Sequence, residues 1–222
     1  MKQPLAAVFL IMAIFAAQPL GAADAPSGYG EALRWYEKTA EAGAAPAQFL
    51  LGRMYETGKG RKSDAARAAG WYRRAADQGH APAQFRLGVL YYEGRGVVRD
   101  AAAAAAWYEK AAAQGHLAAK FNLGFLYQRG EGVTADRARA EALYRETAMA
   151  GLDQARFNLG LLLAGSDEAR RDRHIEAWVW LALAAKAGIP NAEEARDAQE
   201  ALLSPAEREK AAARLAAGAS VR

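Results

Sequence analysis

Tryptophan recurs at Trp35, Trp71 and Trp107, 36 residues apart each time, and the residues around it recur with it. The first copy runs Trp35-Tyr36, Gly43, Ala47, Phe49, Gly52, Tyr55, Gly58, Gly60 and Asp64. The pattern returns as Trp71-Tyr72, Gly79, Ala83, Phe85, Gly88, Tyr91, Gly94, Gly96 and Asp100. It returns again as Trp107-Tyr108, Gly115, Ala119, Phe121, Gly124, Tyr127, Gly130, Gly132 and Asp136. A fourth copy keeps Leu143-Tyr144, Gly151, Ala155, Phe157 and Gly160, but it carries Leu163 for the last tyrosine and lacks the Gly-x-Gly loop. A period of this length with helical spacing inside it describes stacked helical hairpins, so the chain is an array and not one globular core.

Length therefore counts repeats rather than domains. Alanine dominates the apolar residues; it favours helix intrinsically and lets helices pack closely. The start of the chain differs in kind. Lys2 is followed by an apolar run of 13 residues, Leu5 to Ala17, and then by small residues at Gly21, Ala22 and Ala23. This is the pattern of a secretory signal peptide over residues 1–23, with cleavage expected after Ala23 and Ala25 as the alternative. A membrane-spanning helix needs ~20 apolar residues, and Pro4 and Pro19 bracket this run too tightly for a permanent anchor. The expectation is export to a bacterial periplasm without stable membrane insertion.

The chain has no cysteine, which removes disulfides, a lipidation site and zinc thiolates. Its net charge is +4, and the first 23 residues contain one lysine and no acid, leaving +3 without them. Acids and bases alternate, as in Glu37-Lys38, Glu109-Lys110 and Arg145-Glu146. A nucleic-acid binder shows a concentrated basic stripe with stacking aromatics, and no nucleic-acid partner is expected.

Each unit reads as a helix around the Trp-Tyr pair, a short turn, a second helix, and a glycine-bearing loop. Asp64, Asp100 and Asp136 stand where a carboxylate caps the free amides of a first turn. Ala68 and Tyr72, Ala104 and Tyr108, and Ala140 and Tyr144 lie four apart on one face and are expected to be buried. Gly79, Gly115 and Gly151 fall eight residues after the tryptophan position, where a helix end takes a positive φ. A glycine inside a helix costs ~1 kcal/mol against alanine, so its recurrence at Gly52, Gly88, Gly124 and Gly160 predicts close helix contact at each.

These residues carry a family resemblance. Ala104-Ala105-Ala106-Trp107-Tyr108-Glu109-Lys110-Ala111-Ala112-Ala113-Gln114-Gly115, then Ala119 through Leu123-Gly124 to Tyr127, Gly130, Gly132, Val133 and Asp136, resemble the Sel1-like repeat, a relative of the tetratricopeptide repeat. The Gly-x-Gly loop separates it from ordinary tetratricopeptide repeats. The resemblance covers residues 29 to 190 and implies an all-α fold, a right-handed α/α solenoid of stacked helix-turn-helix units. Four units and a partial fifth then fill residues 24–190, with capping helices and a tail over 191–222. In the fifth, Trp180 and Gly188 keep their spacing, while Glu194, Arg196 and Asp197 occupy the Phe, Leu and Gly slots. A polar outer face suits a terminal cap. Asn191 to Leu203 reads as one capping helix. Ser204-Pro205-Ala206-Glu207 starts another, with serine as N-cap, proline in the first turn and glutamate at the third position. The tail after Ala217 is expected to fray.

A search for chemistry finds little. Gly94-Arg95-Gly96 belongs to the repeated loop and has no P-loop lysine. None of Ser27, Ser63, Ser166, Ser204 or Ser220 lies in a nucleophile motif. Some cysteine-rich relatives were associated with β-lactam binding, but this chain has neither the cysteines nor the serine motif. His80 and His116 occupy equivalent turns one repeat apart, too far for a shared zinc. His174 reads as solvated surface, and Asp167-Glu168 and Glu193-Glu194 lack an inferable pocket. No catalytic, cofactor or metal site is expected.

The resemblance implies that the Trp-Tyr helices line a concave side that grips partners. Residues that vary there are Glu37-Lys38, Arg73-Arg74, Glu109-Lys110 and Arg145-Glu146. Lys38, Arg73, Arg74, Lys110 and Arg145 are the candidate binding residues, with Trp178 as either cap core or an aromatic anchor. The expected function is a non-enzymatic, monomeric scaffold for a protein or peptide in envelope assembly, exopolysaccharide secretion or signalling. The alternative, a peptidoglycan or other glycan binder, requires Trp35, Trp71 and Trp107 to be exposed as stacking platforms.

Overall fold

The computed structural model describes residues 29–165 and 171–217. The segment expected to be a signal peptide, with its two candidate cleavage positions, the Asp167-Glu168 pair and the tail beyond Ala217 lie outside them. The described residues form eleven helices and no strand. These are α1 (Tyr29–Glu41), α2 (Ala45–Thr57), α3 (Ala65–Asp77), α4 (Ala81–Glu93), α5 (Ala101–Ala113), α6 (Leu117–Arg129), α7 (Arg137–Met149), α8 (Asp153–Ala164), α9 (Arg171–Lys186), α10 (Ala192–Ala201) and α11 (Pro205–Ala216). Each helix from α1 to α9 packs on the next in sequence, and α10 and α11 both pack on α9. The result is an α/α solenoid with its own terminal cap.

Helix boundaries follow from local chemistry. The side chains of Asp64, Asp100 and Asp136 accept from the backbone N–H of Arg67, Ala103 and Arg139 at 2.9, 2.9 and 3.0 Å. These acceptors satisfy amides that the first helical turn leaves free. The same three aspartates donate their own N–H to the carbonyls of Tyr55, Tyr91 and Tyr127, which closes each glycine loop. The second glycine of that loop is forced on two counts. Gly96 has φ +71°, and a Cβ there would lie 2.2 Å from the carbonyl carbon of Ala65, at the start of α3. Gly132 repeats this against Ala101 at the start of α5. The loop of one hairpin thus rests on the opening of the preceding Trp-Tyr helix.

The histidines set two further boundaries. His80 and His116 are the N-caps of α4 and α6, and their Nδ1 atoms accept from Ala83 N–H at 3.3 Å and Ala119 N–H at 3.2 Å. The His80 ring packs on Phe49 at 4.9 Å between centroids, and the His116 ring stacks on Phe85 at 4.6 Å. Burial against these neighbours lowers both pKa values below the ordinary 6.5. An accepting Nδ1 requires the neutral ring.

The core is built around the tyrosine of each Trp-Tyr pair. Ala68 and Tyr72, Ala104 and Tyr108, and Ala140 and Tyr144 are all buried. Burial pushes the Tyr108 and Tyr144 hydroxyls up to about 12. The expected close contact at the mid-helix glycines is a ring laid on the helix. A Cβ at Gly52 would sit 2.7 Å from the Tyr72 ring, at Gly88 2.6 Å from the Tyr108 ring, and at Gly124 3.1 Å from the Tyr144 ring. One turn before Gly52 and Gly88, the Gln48 and Gln84 side chains are buried and donate to Ala40 O at 3.0 Å and Ala76 O at 3.1 Å. Their Oε1 atoms accept from Gln78 and Gln114 at 2.7 Å, tying α2 to α3 and α4 to α5.

The C-terminal end is formed by α10 and α11, with a Ser204/Glu207 capping box on α11. His174 departs from the solvated surface expected for it. It is only 5% exposed and its Nδ1 lies 2.8 Å from Gln199 Nε2. The charged neighbours Arg171 and Asp172 point outward, and α10 closes over the inward face that carries His174.

Two tests follow. Gly88→Ala is expected to destabilise by about 1–3 kcal/mol, because overpacking against a buried ring outweighs the helix-propensity gain. Gly70→Ala, in α3 with no atom within 4 Å of the new Cβ, is expected to stabilise by about 0.5–1 kcal/mol. Denaturant unfolding measures both, and equal effects would contradict the packing argument. The histidine caps predict a pH dependence. Their folded pKa values are depressed, so their contribution is complete above the unfolded value of 6.5 and declines as pH falls through it. The double variant His80→Asn, His116→Asn keeps an N-cap acceptor. Its melting temperature is expected to fall less than wild type between about pH 7.5 and 5.

Candidate interaction surface

The six residues singled out from sequence are distributed over the Trp-Tyr helices α1, α3, α5 and α7 and over α9, and the structure does not gather them into one cluster. Lys38 is exposed in the last turn of α1. Arg73 is exposed, and its guanidinium donates to the Tyr91 hydroxyl. Arg74 lies over the Trp71 ring at 4.6 Å, and the Lys110 Nζ lies over the Trp107 ring at 3.9 Å. These two cations cover the faces of half-buried tryptophans whose other sides pack into the core. That is packing with a cation–π lid, and not the open platform that a stacking sugar needs.

Arg145 is held inside the array. It pairs with Glu141 at 3.0 Å and with Glu176, while Arg173 pairs with the other oxygen of Glu141, so four side chains join α7 to α9. Burial opposes the shift, but the hydrogen bonds from Arg173 and Arg145 hold Glu141 below the ordinary carboxylate range. Trp178 packs on Ile175, Val179, Leu203 and Ala211, and its indole N–H donates to Glu200 at 3.0 Å. It sits in the cap core.

Two grooves involve the other set of helices. One of about 350 Å³ crosses α2 and α4 and is lined by Phe49, Arg53, Glu56, Thr57, Pro82, Phe85, Arg86 and His116. Phe49 and Phe85 occupy the same slot in successive units, so an apolar strip runs along the array. Charge is set within that strip by one carboxylate. The Glu56 side chain is 4% exposed; it accepts from the Tyr72 hydroxyl at 2.6 Å and Arg86 Nε at 3.2 Å, and Arg95 lies 3.5 Å away. The Arg86 pKa is raised because the bond to Glu56 outweighs burial. Arg53 is exposed on the rim and leans on the Phe49 ring at 6.0 Å. A second depression of about 250 Å³ lies between α1 and α2, lined by Leu33, Tyr36, Leu50, Arg53, Met54, Thr57 and Lys59.

Sequence reasoning did not single out these groove residues, although a signal was present. The slot next to the repeating phenylalanine carries Leu50, Arg86, Asn122 and Asn158 in successive units. The repeating phenylalanine thus sits beside a slot whose chemistry changes along the array. Among the described residues, no group of three or more His, Cys, Asp and Glu could hold a metal ion. No helix there is long and apolar enough to cross a membrane.

Arg145→Ala is expected to cost about 2–4 kcal/mol in chemical unfolding, because it leaves the partly buried Glu176 without a cation and Glu141 with Arg173 alone. Lys38→Ala and Arg73→Ala, on exposed positions, are expected to stay within about 0.5 kcal/mol.

The Sel1 repeat family model matches residues 21–43, 45–80, 81–116, 117–152 and 153–189. Each full match opens on α2, α4, α6 or α8 and closes on a Trp-Tyr helix, so the glycine loop lies inside the unit and not between units, as sequence alone had suggested. Among solved structures, a Sel1 repeat protein from Oxalobacter formigenes is 36% identical, with a TM-score of 0.64 over 74% of this chain and 65% of that one. A protective antigen present in uropathogenic Escherichia coli strains, displaying an SLR fold, is 35% identical, with a TM-score of 0.62 over 70% of this chain and 33% of that one. The chain thus spans about a third of the antigen's length and just under two-thirds of the Oxalobacter protein's. A comparison with curated proteins finds no match. By its matched repeats and by these neighbours, the chain belongs to the Sel1 repeat family, helical solenoids that generally serve as protein–protein interaction modules.

Proposed function

We propose that this chain is a non-enzymatic adaptor, exported to the periplasm, that holds a segment of a partner protein in the groove across α2 and α4. The observation that carries the reading is the composition of that groove. Phe49, Pro82 and Phe85 give it an apolar floor spanning two repeats, and Arg53 on the rim adds an exposed cation. Apolar anchors beside a positioned charge suit an extended or helical peptide segment, with the anchors supplying affinity and the charge orientation. Export is supported by the apolar run Leu5 to Ala17 and the small residues after it. An envelope process such as assembly, polysaccharide secretion or signalling follows from that location. The adaptor acts as a monomer and binds no nucleic acid, consistent with its interspersed charges.

Site-specific photocrosslinking in cells tests this reading. A photoreactive residue at position 53 or 82 of the exported protein is expected to give a discrete protein adduct, and one at the exposed loop position 98 none. An adduct from position 73 alone would move the binding face to the Trp-Tyr helices. No protein adduct from 53, 82 or 73 would contradict the adaptor reading. Quenching of tryptophan fluorescence by cell-wall fragments would in that case favour the glycan binder.

A further inference from the structure

Moving the α2/α4 groove one period along the array keeps its aromatic floor and removes its charge. Phe49 and Phe85 become Phe85 and Phe121, whereas Arg53, Glu56 and Arg86 become Val89, Tyr92 and Asn122. One copy farther on, the Arg53 slot holds Phe125, which is half-buried and meets the Tyr92 ring edge-on at 6.4 Å between centroids. The charges bordering this second stretch close on one another: Arg129 pairs with Glu131, which also accepts from the Tyr92 hydroxyl at 3.0 Å. The surface across α4 and α6 therefore offers a ligand mainly apolar contacts.

Across α2 and α4 the charges do not cancel. Glu56 is shared by Arg86 and Arg95, Arg95 also pairs with Glu93 at 3.0 Å, and among the described residues Arg53 has no acidic partner. Depth separates the two signs as well. The Glu56 side chain is 4% exposed, whereas those of Arg86 and Arg95 are 35% and 47% exposed. Glu56 is also the one carboxylate that lines this groove. It accepts from the Nε and Nη2 atoms of Arg86, which leaves Nη1 without an acidic partner among the described residues. A ligand entering here meets guanidinium groups and not the acid beneath them.

We propose that the segment held in this groove is acidic at one end and apolar at the other. Its carboxylate sits on Arg53 and Arg86, and its aliphatic or aromatic side chain sits on Val89 and Phe125. This rests on the adaptor reading and adds to it the chemistry and the placement of the bound segment. A carboxylate matches an exposed guanidinium in both charge and hydrogen-bonding geometry. A basic residue at the same place meets like charge, which disfavours it. Packed helices lie roughly 10 Å apart, and an extended chain advances about 3.3 Å per residue. The acidic and apolar residues of the segment thus stand about three positions apart. Glu56 is a positioning residue: it orients Arg86 from below and lies too deep to repel an acidic ligand.

A displayed library of short random peptides, selected against the purified protein, tests this. Enriched sequences are expected to place Asp or Glu about three positions from Leu, Phe or Trp. Their binding, read by fluorescence anisotropy, is expected to weaken at least about ten-fold in Arg53→Glu and less than about three-fold in Arg53→Lys. Arg53 is exposed, so both variants are expected to keep the wild-type melting temperature. A photoreactive group at the apolar position of an enriched peptide is expected to mark α4 or α6, and one at the acidic position α2 or α4. Basic or uncharged peptides that mark the groove, or acidic ones indifferent to Arg53→Glu, would overturn the proposal while the adaptor reading stands. So would an apolar end that marks α2 alone. Failure to enrich any peptide would overturn both.

Discussion

The contact on which the array depends is a tyrosine ring resting on a glycine of the preceding helix. At Gly52, Gly88 and Gly124 the absence of a Cβ lets Tyr72, Tyr108 and Tyr144 approach the helix itself. A helix that gives up about 1 kcal/mol of propensity at such a glycine recovers it through burial of a large ring. Because ring and glycine are 20 residues apart in every unit, the contact sets the same spacing between successive helices and makes each hairpin a copy of the last. The hydroxyls extend the lock. Tyr72 donates to Glu56 and Tyr144 to Gln128, so the ring that fills the core also ties down the helix it rests on. The array ends where this contact changes. At Gly160 the neighbour is Leu181, aliphatic and without a hydroxyl, and the α9 that carries it receives α10 and α11 on its other side.

Much of this was legible in the sequence because repetition reveals constraint. A residue that returns every 36 positions has the same neighbours each time, so Asp64, Asp100 and Asp136 could be read as caps and Tyr72 as core before any coordinates. What repetition hides is the partner. The mid-helix glycine pointed to a close approach, but only the structure identifies an aromatic ring as the group approaching. For His80 and His116 the sequence says only that they are too far apart to share a zinc, because a capping bond accepted by Nδ1 leaves no spacing signature beyond their equivalence. His174 stood among charged residues and seemed solvated; a helix carries two faces, and α10 covers the one that local composition could not distinguish.

The two surfaces divide the labour of the fold. Along the Trp-Tyr helices several cations are committed to the chain itself: Arg74 and Lys110 lie over tryptophans, and Arg145 binds α7 to α9. Along α2 and α4 the recurring phenylalanines leave an apolar floor, and the changing residues beside them give each unit a different edge. A uniform scaffold beside a variable edge separates the residues that pack the array from those free to differ between units.

A double-mutant cycle on Gly88 and Tyr108 tests the ring-on-glycine contact most directly. Gly88→Ala, Tyr108→Leu and the double variant are compared with wild type by urea unfolding. Removing the ring opens the space that the new methyl needs, so Gly88→Ala should cost less in the Tyr108→Leu background by about 1 kcal/mol or more. Additive effects, with the cost of Gly88→Ala unchanged when the ring is gone, would show that the glycine answers to some other constraint and would contradict the account.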